Sequence, residues 1–348
     1  MSKYLLGLFS LVLLGSCDPE FSADEDGGAR PIIYGVLEKN KAEQQIRITK
    51  SFGGGANAYE SALNADSSRI NGIDPVILVM DENEVEKSIP LILKTISNKE
   101  EGVFYGGEQD VYTFTEPLLA NRTYVINFDY DGKTISAKSP VLNLNINRWT
   151  KPSKFKQSID FIQGGNGTEI EPNFRSEPIV FTTEENTGQY EVYIDLPITK
   201  IYKDGSRVAD TIHYKTGSIP VDKENVSKNA DFNILSFVSA IGNFLDLDEN
   251  ITDREMNDSL TIELIAGGVE LATYIEVNNP TTGIIQERPA YTNVSNGLGV
   301  FSTRSTLARS FYISHKSITA MALYSELRKY NFCSTRAETA STSGVKCP

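Results

Sequence analysis

The residues whose types and spacing could carry chemistry are few in this 348-residue chain: three cysteines, two histidines and a scatter of acids. Cys17 closes an apolar run from Tyr4 to Gly15 and follows the small pair Gly15-Ser16. A thiol is the side chain whose anion attacks an activated donor most readily. Cys333 and Cys347 stand near the end, an even pair that suggests a disulfide in an exported chain, with two free thiols as the alternative. Two cysteines alone make a poor metal site. His213 in TIHYK and His315 in YISHKS have no HExxH, GxSxG or Cys/His companion, so neither is read as a catalytic base. Asp246, Asp248 and Asn250 alternate like the opening of a calcium loop, but Ile251 stands where the sharp-turn glycine belongs and Asn257 where the final glutamate belongs. A solvated loop after a helix is the better reading, and no metal is expected. Glycosidase chemistry needs only two facing carboxylates, and composition singles out no pair. Gly53-Gly54-Gly55, Gly164-Gly165 and Asn296-Gly297-Leu298-Gly299 do not follow a strand and open a helix as a phosphate loop would; they read as turns. In the last, a positive φ or a close backbone approach is expected. Tyr105, Tyr112 and Trp149 could form a sugar platform if exposed, but burial is the default for most aromatics.

The elements around Cys17 decide its role. The apolar run is about a dozen residues, whereas a spanning helix needs roughly 20. Lys3, the short apolar middle and the small residues describe a secretory leader. Leu14-Gly15-Ser16-Cys17 resembles the bacterial lipobox, with an ordinary leader and a chance cysteine as the bland alternative. The resemblance implies cleavage before Cys17 and lipid on its sulfur, the one prosthetic group expected and the means of holding the protein on a membrane. Two or three acyl chains, at about 0.8 kcal/mol per buried methylene, anchor stably where one does not. Asp18, Glu20, Asp24, Glu25 and Asp26 follow. They read either as a solvated tether, since SADEDGG cannot build a core, or as something resembling the surface-export signal of Bacteroidota lipoproteins.

The formal net charge is −13, one unit more negative once Lys3 leaves with the leader. Without a basic stripe, nucleic acid is excluded as a partner class, because phosphate neutralisation supplies most of that affinity.

From Arg30 onward the texture is strand after strand. RPIIYGVLEK, QQIRITKSF, PVILVMDENEV, VYTFTEPLL and RTYVINFDYDGKTISAKSPV alternate or run apolar, and Asp131-Gly132 sits where a two-residue hairpin turn belongs. These make a β-sandwich over residues 30–146. Residues 147–174 read as a connection. IVFTT, QYEVYIDLPITKIYKDGSRVADTIHYK (turning at Asp204-Gly205) and DSLTIELIAGGVELATYIEV read as strands of a second β domain, residues 147–310. One helix falls near 231–245, with Ile234, Phe237, Val238, Ile241, Phe244 and Leu245 three and four apart and Asp231 as N-cap. A second candidate, SITAMALYSELRKY, places Ile318, Met321, Ala322 and Leu327 on one side, within a C-terminal helix and polar tail, residues 311–348. The expected fold is mainly β: a leader (1–16), a lipidated acidic tether (17–29) and two sandwich-like domains with one or two helices in the C-terminal part.

Two stretches carry a family likeness: IIYGVLEKNKAEQQIRITKSF with PVILVMDENE, GVFYGGEQDVYTFT and TYVINFDYDGKTISAKSPV, and then PAYTNVSNGLGVFSTR. Together they resemble an uncharacterised family of Bacteroidota outer-membrane lipoproteins often encoded beside SusC-like TonB-dependent receptors. The resemblance implies an immunoglobulin-like first module, an outer-membrane location (cell surface preferred over the periplasmic face) and a β-barrel receptor as partner. It covers most of the mature chain, loosely in the centre; the acidic tether and the Cys-containing tail depart from it. Asp210-Thr211-Ile212 and Asp258-Ser259-Leu260 match the short O-glycosylation pattern of such envelope proteins, making Thr211 and Ser259 candidates. The expected function is non-enzymatic binding or assembly beside such a receptor, its small ligand unspecified. A surface hydrolase of glycan or peptide is the alternative, and a structural envelope protein or adhesin a third.

Overall fold

Alternation sets the first hairpin. Strand β1 (Pro31–Glu38) buries Ile33 and Leu37, and β2 (Gln44–Lys50) pairs antiparallel with it and buries Ile46 and Ile48. In this computed structural model the described residues are 29–51, 58–97, 105–165, 167–169, 171–279, 291–335 and 346–348. Two short helices follow, α1 (Ala58–Ala62) and α2 (Ala65–Ser68), the second capped by Asn64, whose Oδ1 accepts from the Asp66 amide at 3.0 Å. Then come β3 (Val76–Asp81), β4 (Glu84–Pro90), β5 (Ile92–Ile96), β6 (Gln109–Phe114), β7 (Thr123–Tyr130) and β8 (Lys133–Pro140). Between β7 and β8, Asp131 and Gly132 have φ of 51° and 70°. Both central residues are left-handed, as the turn expected there requires.

The rest of the chain supplies β9 (Trp149–Lys151), β10 (Ser158–Ile159), β11 (Ser176–Thr182), β12 (Thr187–Tyr202), β13 (Arg207–Pro220), β14 (Ser227–Asn233), α3 (Ile234–Ala240), β15 (Ile251–Met256), β16 (Ser259–Gly268), α4 (Val269–Asn278), β17 (Leu298–Ile313), α5 (His315–Leu323) and β18 (Phe332–Cys333). Helix α3 continues into a 3-10 turn, Ile241–Phe244, and buries Ile234, Phe237, Val238, Ile241 and Leu245 as expected. Its cap is Asn233, accepting from the Ser236 amide at 2.9 Å, not Asp231, which belongs to β14; Phe244 is exposed. Helix α4 corrects a strand expectation. Alternation stops at Gly267-Gly268, and Val269 begins a helix of good formers such as Glu270, Leu271 and Ala272. Among the described residues the C-terminal part thus holds three α-helices where one or two were expected, α5 burying Ile318, Met321 and Ala322.

Eleven strands form one long sheet, in the order β18-β15-β12-β16-β17-β1-β2-β6-β5, with β13 on β12 and β10 on β17. Two smaller sheets, β4-β3-β7-β8 and β14-β11-β9, complete the β layers. The fold is mainly β and sandwich-like, as expected. One core holds Ile33, Leu37, Ile46, Ile77, Val79, Tyr124, Ile126 and Phe128. The other holds Val192, Ile194, Leu196, Ile262, Phe232, Phe237, Ile318 and Met321.

Strand β17 joins the two. It runs parallel to β1 from Leu298 to Arg304 and antiparallel to β16 from Arg304 to Tyr312. Phe301 enters the first core, and Phe311 and Ile313 the second. Odd residues of a strand share a face, so both smaller layers cover the same side of the long sheet. Each core draws residues from across the expected boundaries. Val294 and Phe301, counted with the second domain, complete the first core, and Phe311 and Ile313, counted with the tail, belong to the second. Gly299 makes the junction possible: its φ is +99°, and a Cβ there would stand 2.0 Å from the Ile33 carbonyl oxygen.

Candidate functional site: a cavity under helix α4

The long sheet's other face carries polar side chains and is partly roofed by α4. Along β12 the even residues from Tyr190 to Ile198 are buried, whereas Gln189, Glu191, Tyr193 and Asp195 are half-buried on the opposite side. Cross-strand pairing sets Lys215 beside Tyr193 and His213 beside Asp195 on β13, and Glu263 beside Tyr193 and Ile265 beside Glu191 on β16. Helix α4 brings Leu271, Ala272 and Ile275 over this patch and partly covers an open-sided cavity of about 490 Å³, with Val36 and Arg304 on its far side. At the helix's other flank, Tyr274 meets Tyr34 of β1 edge-on, ring centroids 6.2 Å apart, their hydroxyls 3.5 Å apart. The Tyr274 phenol is pushed up to about 12 by that hydrogen bond, by burial and by the neighbouring phenol.

The charges of the cavity are mostly matched. Glu191 accepts from Lys215 Nζ, from Gln189 Nε2 and Tyr193 OH at 3.1 Å each, and from Ser218 Oγ at 3.3 Å. Burial alone would raise its carboxyl, but Lys215 and these hydroxyls outweigh burial and hold it below the ordinary range. Arg304 donates to Glu38 Oε2 from Nε at 2.9 Å and from Nη2 at 2.8 Å, while Thr306 donates to Oε1 at 3.1 Å. His213 lies flat on Tyr193, centroids 4.6 Å apart and planes 15° off parallel, and its Nδ1 bonds Asp195. Glu263 differs. Burial first, then the charges of Asp195 and Glu38, push its carboxyl up against the opposing pull of His213 and Arg304. Among the described residues it has neither a hydrogen-bond partner nor an ion-pair partner.

The residues expected from sequence to carry function lie elsewhere. Cys17, the leader, the acidic tether as far as residue 28 and Gly53-Gly54-Gly55 lie outside the described residues. Cys333 and Cys347 are bonded, with Cα atoms 5.0 Å apart, and pack with Ile201 in a small buried cluster. Asp246 and Asp248 turn their carboxylates onto local backbone: the Asp248 amide donates to Asp246 at 3.1 Å, and the Asn250 amide to Asp248 at 2.9 Å. Asp246 also faces Lys200 at 3.6 Å. No group of three or more His, Cys, Asp or Glu is placed to hold a metal ion among the described residues. Thr211 is exposed on β13, and Ser259 is half-buried at the start of β16. Trp149 and Tyr112 are buried, the default for aromatics; Tyr105 is exposed beside a separate hollow of about 270 Å³ that it lines with Tyr34 and Arg47. His315 opens α5 at the surface.

Glu191, Tyr193, Glu263 and Arg304 were not singled out from the sequence. Their signal was present: each is a polar position in an alternating strand. What raises them above other surface residues is the roof, and that depends on α4 being a helix. No described helix is long and apolar enough to cross a membrane. A comparison with protein-family models gives no match, and neither does one with curated proteins.

Proposed function

We propose that this chain is a lipid-anchored, non-enzymatic binding component of the bacterial outer membrane, accessory to a TonB-dependent β-barrel receptor, with the cavity under α4 as its ligand site. The leader and Leu14-Gly15-Ser16-Cys17 support the anchor, and the family likeness supports the receptor. The observation that carries the binding reading is the cavity's economy: of its charged groups, Glu191 and Arg304 are consumed by internal partners, a rigid lining with little left over for catalysis. Purification from solubilised outer membranes in mild detergent should bring down a large β-barrel protein, identified by mass spectrometry; recovery of the bait alone overturns the receptor assignment. Cys17→Ser should move the protein into soluble fractions, and intact mass should show acyl chains on the wild-type residue.

One observation favours the hydrolase reading. Glu191 and Glu263 are diagonal neighbours on adjacent strands, about 7–8 Å apart by the geometry of such pairs. Two carboxylates on one face at that backbone spacing are what glycoside hydrolysis needs to begin with, and these carboxyls are pushed in opposite directions. Against it, Glu191 is paired with Lys215 and accepts from Lys215, Gln189 and Ser218 on Oε1 and from Tyr193 on Oε2, which holds its carboxylate in use and makes it a weak base. Turnover of a glycan library that disappears in both Glu191→Gln and Glu263→Gln would reinstate this reading.

A further inference from the structure

We propose that the cavity under α4 takes a ligand bearing an alkylammonium group, with Glu263 as its counter-ion and the apolar residues of α4 against its hydrocarbon. This deepens the binding reading above and rests on it. The argument is one of remaining valence. Glu191 is neutralised by Lys215, and Arg304 by Glu38; His213 is held by Asp195 and by stacking on Tyr193. Of the two carboxylates that line the cavity, Glu191 and Glu263, only Glu263 has no cation or hydrogen-bond donor among the described residues. The same burial and negative field that raise its carboxyl favour a cation placed beside it, since a half-buried carboxylate regains with a charged donor what it lost from water. An anionic ligand would face Glu263 and Asp195 without a free cation, because the lining's Arg304 is already committed. Leu271, Ala272 and Ile275 above, with Val36 and Ile265 below, offer hydrocarbon rather than further hydrogen-bond partners. Against these five side chains a hydroxyl would go unmatched, whereas a short alkyl chain would not.

The test titrates the mature full-length chain with hexylamine, 1-hexanol and hexanoate, read by calorimetry and by shifts of the Leu271 and Ile275 methyl resonances. The amine should bind at least about tenfold tighter than the alcohol, the worth of one hydrogen bond to a charged group, and hexanoate should bind weakest. Glu263→Gln should erase the difference between amine and alcohol while leaving the alcohol's affinity unchanged. Glu249→Gln, on an exposed loop, should change nothing. Raising salt from ~20 mM to ~500 mM should weaken the amine alone, a check that needs no variant. Equal binding of amine and alcohol, binding of none of the three, or an amine preference that survives Glu263→Gln each overturns the proposal. If a β-barrel receptor nonetheless co-purifies, the ligand class has failed and the accessory role has not. Loss of both fails the binding reading itself.

Discussion

Glu38 is nearly buried, yet it belongs to no apolar pattern: it ends β1 and reaches across to Arg304 and Thr306 of β17. Burial alone would raise its carboxyl. The hydrogen bonds and charge of Arg304, with help from Thr306 and Lys41, outweigh burial and hold it below the ordinary carboxylate range. A carboxyl held low in the folded chain contributes stability that is present above the unfolded value of about 4.3 and is lost as pH falls through the lowered folded value. Glu38→Gln should therefore destabilise at neutral pH by about 1–2 kcal/mol, less than a fully buried pair because Arg304 is partly in water. The gap between variant and wild type should close as pH falls below roughly 4. Urea midpoints at several pH values check this; a gap as wide in acid as at neutrality assigns the effect to packing. The pair's partners are 266 residues apart in sequence, so nothing in either local pattern announces it. Gly299, in contrast, was legible: the turn-rich stretch Asn296-Gly297-Leu298-Gly299 signalled a positive φ or a close backbone approach, and the Ile33 carbonyl now makes that approach.

At the scale of elements, strands were read from alternation and hairpin turns from Asp131-Gly132 and Asp204-Gly205, because both signals are local. The misread elements are those whose decision is made elsewhere. TIELIAGGVELATYIEV continues apolar across Gly267-Gly268, so a strand and a half-covered helix look alike until the sheet's polar face gives the helix something to lie on. The cavity went unseen for the same reason. Helix α3 shows the converse, a correct helix with its cap misplaced by two residues: Asp231 has the right chemistry, but β14 keeps it paired with Pro178. The cap is where the chain leaves the strand, at Asn233. Asn233→Ala should cost about 1 kcal/mol, and Asp231→Ala only a few tenths. Equal losses from the two in chemical denaturation would return the cap to Asp231.

For the whole molecule, the decisive feature is a single strand serving two cores. β17 closes the first sandwich with Phe301 and lays Phe311 and Ile313 into the second, while seven residue pairs bind its first half to β1. No sequence window could show this, since β1 and β17 lie at opposite ends of the described chain and the pairing is parallel. A parallel ladder between distant segments is fixed only by the finished fold. Two domains joined by a linker would unfold separately, each with its own midpoint. Two cores sharing a strand in the middle of one sheet cannot, because losing either frees an edge of the other. Phe301→Ala and Phe311→Ala each remove a fully buried ring from a different core, at a cost of about 3–5 kcal/mol. Calorimetry should record one transition in the wild type, lowered as a whole by either substitution. A fragment of residues 29–146 should show no cooperative transition, lacking Val294, Phe301 and the strand that covers β1. Appending residues 291–313 through a flexible linker should restore one. Two wild-type transitions, each moved by only one of the substitutions, would mean that β17 merely touches both cores without coupling them.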